Sequence, residues 1–452
     1  MSFLALDLGT SFIKGAILDL NTLRISHVHR IPFPAPLSDQ LPWRCEIDPR
    51  QVVSAAQDVI EHLLPHTPNC SGMVMCGQMQ GLVLTDEHGE PLSNYISWQD
   101  QRALLPHPSG EGTFFDVLSR QITPKERRQM GSELRPGLPA CALFWLVEQN
   151  QLPHAIPASL PDFVVANLCR TLATTEPTNA SVHGVFNLET GDWHWPVISR
   201  LGLKSLRWPE IRRTGQVVGH LNAGSRSIPC YTPVGDQPCA LVGALLQDGE
   251  LSINISTGSQ VSLLSHRLEM GDYQTRPFFD GKYLNLITHI PAGRSLNTLV
   301  NLLTELAQKQ GFELDPWPHI VRAVEQVSKT DLRVNLAFFA GACGDQGEIA
   351  NIQESNLTIG HLFRAAFENM ADNYYACALR LSPRRAWRRL VFSGGLAQKV
   401  EPLRRIICDR FGDEYRIAPS SEDSLTGLLA LALAFGGRAE SVERAIAQVS
   451  AR

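Results

Sequence analysis

Apolar residues along the first half of the chain alternate between two periods. LALDLGTSFIKGAILDL opens it with two short strand-like runs, Leu4 to Leu6 and Phe12 to Leu18, joined by a tight turn at Gly9-Thr10. VVSAAQDVIEHLL from Val52 carries helical spacing, CSGMVMCGQM from Cys70 reads as a strand ending in glycine, and GLVLTDEHGEPLSNYISW returns as a hairpin. Such alternation predicts an α/β fold. From Pro106 to about Arg226 the pattern loosens into a proline-bearing, aromatic stretch, expected to insert helices and a substrate-facing lobe. Later segments predict helices from Gly293 to Gln310 and Ile359 to Leu381, a strand in RLVFSGGLAQ, and an apolar helix in EDSLTGLLALALAFG.

The polar interruptions carry the chemistry. Asp7, followed by Gly9, Thr10 and Ser11, can be ordinary turn punctuation, or an anion cradle whose backbone N–H groups and hydroxyls face phosphate while the carboxylate orders a metal ion. No G-x-x-x-x-G-K-[ST] precedes a helix here, so the cradle is not a P-loop. A second copy of the pattern, LSINISTGSQVSLLS from Leu251, lays Asn254 to Gly258 on Asp7 to Ser11 at an offset of 247 residues and matches Thr10 to Thr257. The copy begins just past the middle, where a two-lobed protein would start its second lobe. Two facing hairpins would surround a nucleotide's phosphates from both sides, and closure would exclude water.

Composition bounds this picture without redirecting it. At 452 residues the chain exceeds what one core usually supports, so two domains are expected, 1–246 and 247–452. A net charge of -5 gives no footprint for nucleic acid or an acidic membrane surface. Ten scattered cysteines without C-x-x-C or zinc spacing read as free thiols in a reducing compartment. With no basic leader and no long apolar run, a cytoplasmic location is expected.

Moving a γ-phosphoryl group to an alcohol needs phosphate donors, a positioned metal and a carboxylate that accepts the hydroxyl proton. YTPVGDQPCALVGALL supplies the third: Asp236 opens a helix just before the second hairpin, as an N-cap or as the base. The ordered series DLGTSFIKG, GQMQG, SWQDQR, TEPTNAS, GDQPCALVGA, NISTGS, FSGGLAQ and EDSLTGLLALA resembles the FGGY carbohydrate kinases of the actin-like ATPase superfamily over nearly the whole chain.

That resemblance implies two ribonuclease H-like domains with a cleft for ATP and sugar. It implies Asp236 as catalytic base and Asp7 as the residue ordering Mg2+. Thr10, Ser11, Lys14, Thr257 and Gly258 would contact phosphates, and Gly394, Gly395 and Gly427 would line the adenine pocket. Met79, Gln80, Trp98, Asp100, Arg102 and Asn179 would serve the sugar. GQMQG is similar to the Gly-Gln-Met-His-Gly of ketose kinases, with Gln80 in place of the His. Gln398 takes a place often held by Asn, and AGACGDQG stands where relatives carry Gly-Glu-Arg. Within the family the likeness is greatest to sedoheptulokinases, implying an ATP-dependent kinase that makes sedoheptulose 7-phosphate. A xylulokinase or other ketose or polyol kinase, and a non-catalytic ATP-binding sugar sensor, are the alternatives. The partner is then a small ketose, with a homodimer left open.

Overall fold

The computed structural model describes residues 1–313, 315–419 and 422–451. Two mixed sheets repeat one plan. In the first, β1 (Ser2–Leu8), β2 (Phe12–Asp19) and β3 (Arg24–Pro32) form an antiparallel meander; α1 (Pro49–Leu63) then leads to β4 (Cys70–Gly77), parallel to β1. β5 (Val217–Ala223), β6 (Arg226–Tyr231) and the short β7 (Val234–Gly235) complete it, in the order β5-β6-β4-β1-β2-β3 with β7 beside β4. Asp48 caps α1 by accepting from the Arg50 N–H, with Pro49 at the first helical position.

The helix α2 (Asp236–Gly243) leads into the second sheet: β8 (Glu250–Ile255), β9 (Ser259–Ser265), β10 (Gln274–Pro277) and β11 (Tyr283–Ile290), then α3 (Gly293–Lys309), α4 (Ile359–Leu381), β12 (Arg389–Ser393) and β13 (Glu414–Ile417). Its order is β10-β11-β9-β8-β12-β13, so β8, β9, β11, β12 and β13 occupy the places of β1, β2, β3, β4 and β6. The second hairpin is one residue tighter: Leu8 faces Ile13 whereas Ile255 faces Ser259. The offset of 247 that relates Asp7 to Asn254 therefore becomes 246 for their partners, Lys14 and Gln260.

The segment Gly81 to Trp98 pairs less with itself than a hairpin would. Val83–Thr85 joins Ile156–Ala158, and Tyr95–Ile96 joins Glu46–Ile47, while single bridges such as Leu82 to Ile96 hold the loop closed. The inserted stretch builds a separate apolar cluster around Phe114, Leu143, Trp145, Trp193 and Trp208. Trp193 of TGDWHWP is buried there, donating its indole N–H to the Pro209 carbonyl at 2.8 Å.

One cluster belongs to both halves. Side chains of β1, β2 and β4 meet α2, residues of β11, and the last helices, α5 (Asp423–Phe435) and α6 (Val442–Ser450). α5 packs on strands of the first sheet although it follows β13, so the cores interlock across residue 246. α2 and α5 touch backbone to backbone where glycines permit it. A side chain on Gly427 would collide with the Cys239 carbonyl, and one on Gly243 with the Asp423 carbonyl. No helix among the described residues is long and apolar enough to cross a membrane.

Candidate active site

Strand ends position the chemistry. Asp7 near the end of β1, Gly77 ending β4, Asn254 on β8 and Ser393 ending β12 arrive side by side, since β1 runs parallel to β4 and β8 to β12. Asn254 Nδ2 donates to Ser393 Oγ at 2.9 Å. The N-termini of α2 and α5 point to the same place, which favours anions there. Ser424, in the first turn of α5, donates its hydroxyl to Asp7 at 2.6 Å. Asp7 is 5 % exposed, and burial raises its carboxyl pKa against the pull of that hydrogen bond.

Three cavities meet along this line. One of about 580 Å³ is lined by Thr10, Gln78, Met79, Gln80, Trp98, Arg135, Asp236, Arg276 and His289 among others. A second, of about 330 Å³, holds Asp7, Lys14, Asp236, Asn254, Glu422 and Asp423. A third, of about 800 Å³, runs from Ser256 and Thr257 past Trp317 to Gly395 and Lys399. Asp236 lines the first two, and the second hairpin turn borders the first and the third, with Gly258 on one side and Thr257 on the other.

Asp236 occupies the first position of α2 rather than its cap, which is Gly235 and makes no side-chain hydrogen bond. Its carboxylate accepts from the N–H of Gln237, at 2.7 Å. Burial first, and the nearby Asp7 charge second, push its pKa up to about 7. A carboxylate at that value holds or releases a proton near neutral pH, which suits a general base.

The remaining expected residues divide into groups. Met79, Gln80 and Trp98 line the same cavity as Asp236; the Met79 thioether lies over Gly235, and Gln80 adopts φ +75°, a left-handed conformation that a glutamine holds only under constraint from its surroundings. Lys14 lies beside Asp7's cavity, with Nζ 3.0 Å from Glu422. Thr10 and Gly258 reach the first cavity, Thr257 and Gly395 the third, and Gly394 turns the chain at φ +88° against the Ile255 carbonyl. Ser11 sits exposed in the first turn, its carbonyl accepting from Phe33.

Four residues face elsewhere. Asp100 and Arg102 are buried in an ion-pair network: Arg102 Nε lies 2.7 Å from Asp100, and its Nη2 lies 2.6 Å from Glu46. They hold the turn carrying Trp98 and do not line the first cavity. Asn179 is buried, donating to the Pro233 carbonyl at 3.1 Å just before β7. Gly427 serves the helix crossing behind Asp236, away from the third cavity.

The motifs did not indicate the cationic wall. Arg276 on β10 is 4 % exposed, forks onto Glu133 of the inserted lobe, and also donates to Gln237 Oε1. Gln237 in turn donates to Gln260 at 2.9 Å, so two strands of the second sheet, β9 and β10, make contact with it beside Asp236. Residues 143 positions apart give no local signal.

A hydrated divalent cation fits the second cavity. Asp423 has a buried carboxylate oxygen without a hydrogen-bond partner among the described residues, and burial with the Glu422 charge pushes its pKa up to about 6. No three His, Cys, Asp or Glu side chains among the described residues stand close enough to enclose a bare ion. Magnesium, which keeps several waters and takes one or two carboxylates, suits that donor set.

Duplicated hairpins, crossing glycine helices and a cleft between two ribonuclease H-like domains define an actin-like sugar kinase fold. The model of the FGGY family of carbohydrate kinases, N-terminal domain, matches residues 2–243, and the chain belongs to that family. It is 23% identical over 453 residues to mouse (Mus musculus) sedoheptulokinase, covering 89% of this chain and 91% of that protein. Its fold superposes on ligand-bound xylulose kinase from Lactobacillus acidophilus with TM-score 0.85 at 18% identity, over 99% of this chain and 92% of that one. Plasmodium falciparum glycerol kinase with ADP matches at TM-score 0.82 and 17% identity, over 99% and 92%.

Proposed function

We propose that this kinase transfers the γ-phosphoryl group of ATP to the primary hydroxyl of a ketose, with sedoheptulose the favoured acceptor and sedoheptulose 7-phosphate the product. The observation that carries the reading is Asp236: a carboxylate with pKa near 7, on the boundary between an open polyhydroxyl-sized cavity and a polar cavity framed by two phosphate-type hairpins. The likeness to mouse sedoheptulokinase along most of both chains supports the choice of sugar.

In this mechanism the acceptor lies in the first cavity, over Met79, Gln80 and Trp98, its terminal hydroxyl against Asp236. Asp236 takes the hydroxyl proton as the oxygen approaches phosphorus. Thr10, Ser11, Lys14, Thr257 and Gly258 offer donors to the phosphates from both lobes, and Gly394 and Gly395 leave room for adenine. Asp100 and Arg102 keep the Trp98 turn in place, and Asn179 holds the strand leading to Asp236. Magnesium, when bound beside Asp7 and Asp423, would offset phosphate charge. Positioning and fixed dipoles carry most of such a reaction.

A coupled ADP assay over sedoheptulose, xylulose, ribulose, fructose and glycerol tests the assignment through specificity ratios. The largest kcat/KM for sedoheptulose is expected. A wide margin for glycerol or a pentulose would move the substrate and keep the kinase. ATP binding without acceptor-dependent ADP across the panel would replace the enzyme by a sugar sensor.

A further inference from the structure

Along the wall of the cavity that holds Met79 and Gln80, polar groups follow one another from Asp236 through Gln237 and Arg276 to Glu133 and then Arg135. One carboxylate, Glu133, therefore serves two guanidinium groups. Arg276 takes both of its oxygens in a fork, leaving Arg135 with a loose ion pair of 3.6 Å. That distance is beyond hydrogen-bond reach. Among the described residues no protein acceptor hydrogen-bonds the Arg135 guanidinium, although its side chain is only 21 % exposed and lines the cavity.

Burial and the Arg276 charge both disfavour the Arg135 cation, so it is held there against a cost that a bound oxygen would offset. His289, with φ +59°, lines the same cavity; burial and the two arginines lower the pKa of its imidazole. The loop that follows Arg135 is pinned, because Gly137 packs against the Trp98 backbone. The cavity is thus lined by the carboxylate of Asp236 and, joined to it through Gln237, Arg276 and Glu133, by an underused fork of donors.

We propose that Arg135 is a specificity-determining residue of the acceptor cavity, its guanidinium hydrogen-bonding the carbonyl end of the ketose while the opposite terminal hydroxyl meets Asp236. This rests on the ketose kinase reading. A planar fork suits two neighbouring oxygens, the carbonyl and the adjacent hydroxyl, and a lysine cannot reproduce it.

The test measures Arg135→Ala and Arg135→Lys against wild type in two ways: calorimetric binding of sedoheptulose to the ATP-free protein, and kcat and KM for sedoheptulose, its alditol and glycerol. Both variants should weaken sedoheptulose binding and raise its KM about tenfold or more, with kcat changed less than threefold. The alditol, lacking the carbonyl, and glycerol, too short to span the cavity, should show KM changes below twofold. Equal losses for sedoheptulose and glycerol, a fall in kcat alone, or full rescue by lysine would overturn the assignment. So would a wild-type preference for an aldonate over the ketose of equal length. Should wild type bind sedoheptulose yet release no ADP with it, the kinase reading fails while calorimetry of the variants still decides Arg135.

Discussion

Gly427 offers a sharp test of how the helix crossing controls the catalytic carboxylate. In Gly427→Ala the new methyl carbon would stand 2.9 Å from both the carbonyl carbon and Sγ of Cys239, and nearer still to the carbonyl oxygen. Carbon atoms in contact settle near 3.5–4.0 Å, so α2 and α5 must part by about 1 Å at this point. Overpacking of this kind costs about 1–3 kcal/mol, and the better helix propensity of alanine returns about 0.5–1 kcal/mol. The melting temperature should therefore fall only a few degrees. Activity should fall much further. Cys239 lies one turn along α2 from Asp236, whose position the crossing fixes, and a 1 Å misplacement of a reacting group can cost about a hundredfold in rate. Thermal unfolding and steady-state kinetics on one preparation separate the two effects: about a hundredfold loss of kcat with the protein folded at assay temperature is expected. A kcat within twofold of wild type would show that the crossing does not set the carboxylate.

Three other outcomes follow from the same geometry. With the Asp236 pKa near 7, kcat/KM should rise with pH and reach half its plateau close to pH 7, because the protonated carboxyl below that value cannot accept the hydroxyl proton; a profile flat from pH 5.5 to 8.5 would contradict the role. Glu133→Gln leaves Arg276 and Arg135 buried beside a neutral partner, and urea unfolding should report a loss of about 3–5 kcal/mol; an unchanged midpoint would remove the ion pair from the account. Asp162 is buried, its carboxyl pushed up to about 8 chiefly by burial. The neutral form it keeps in the fold stabilises below about pH 4, and that advantage is lost as pH rises to about 8. The melting-temperature advantage of Asp162→Asn over wild type should therefore grow from pH 5 to pH 8.5, and equal shifts at both values would refute the burial argument.

Much of the frame was legible because it is written locally. The two hairpins announced themselves through an acid or amide at a strand end followed by small hydroxyl residues, and the helix from Ile359 to Leu381 has the bounds its period predicted. What escaped depends on distant partners. The one-residue tightening of the second hairpin appears only when Lys14 and Gln260 are seen facing equivalent positions. The resemblance of SWQDQR placed Asp100 and Arg102 among the sugar ligands, yet Glu46 from a far segment draws Arg102 inward, and Arg102 in turn holds Asp100. Gly427 could admit a flat ring or another backbone, and only the approach of Cys239 decides for the backbone. The Glu133–Arg276 fork, joining the inserted lobe to the second sheet, has no signature in either stretch.

The account turns on Asp236, and the most direct measurement is acceptor-dependent ADP formation by Asp236→Asn beside equilibrium ATP binding to the same protein. Binding within a few-fold of wild type, with turnover reduced by about 10² or more, is the predicted result. Near-normal turnover from the asparagine protein would contradict it.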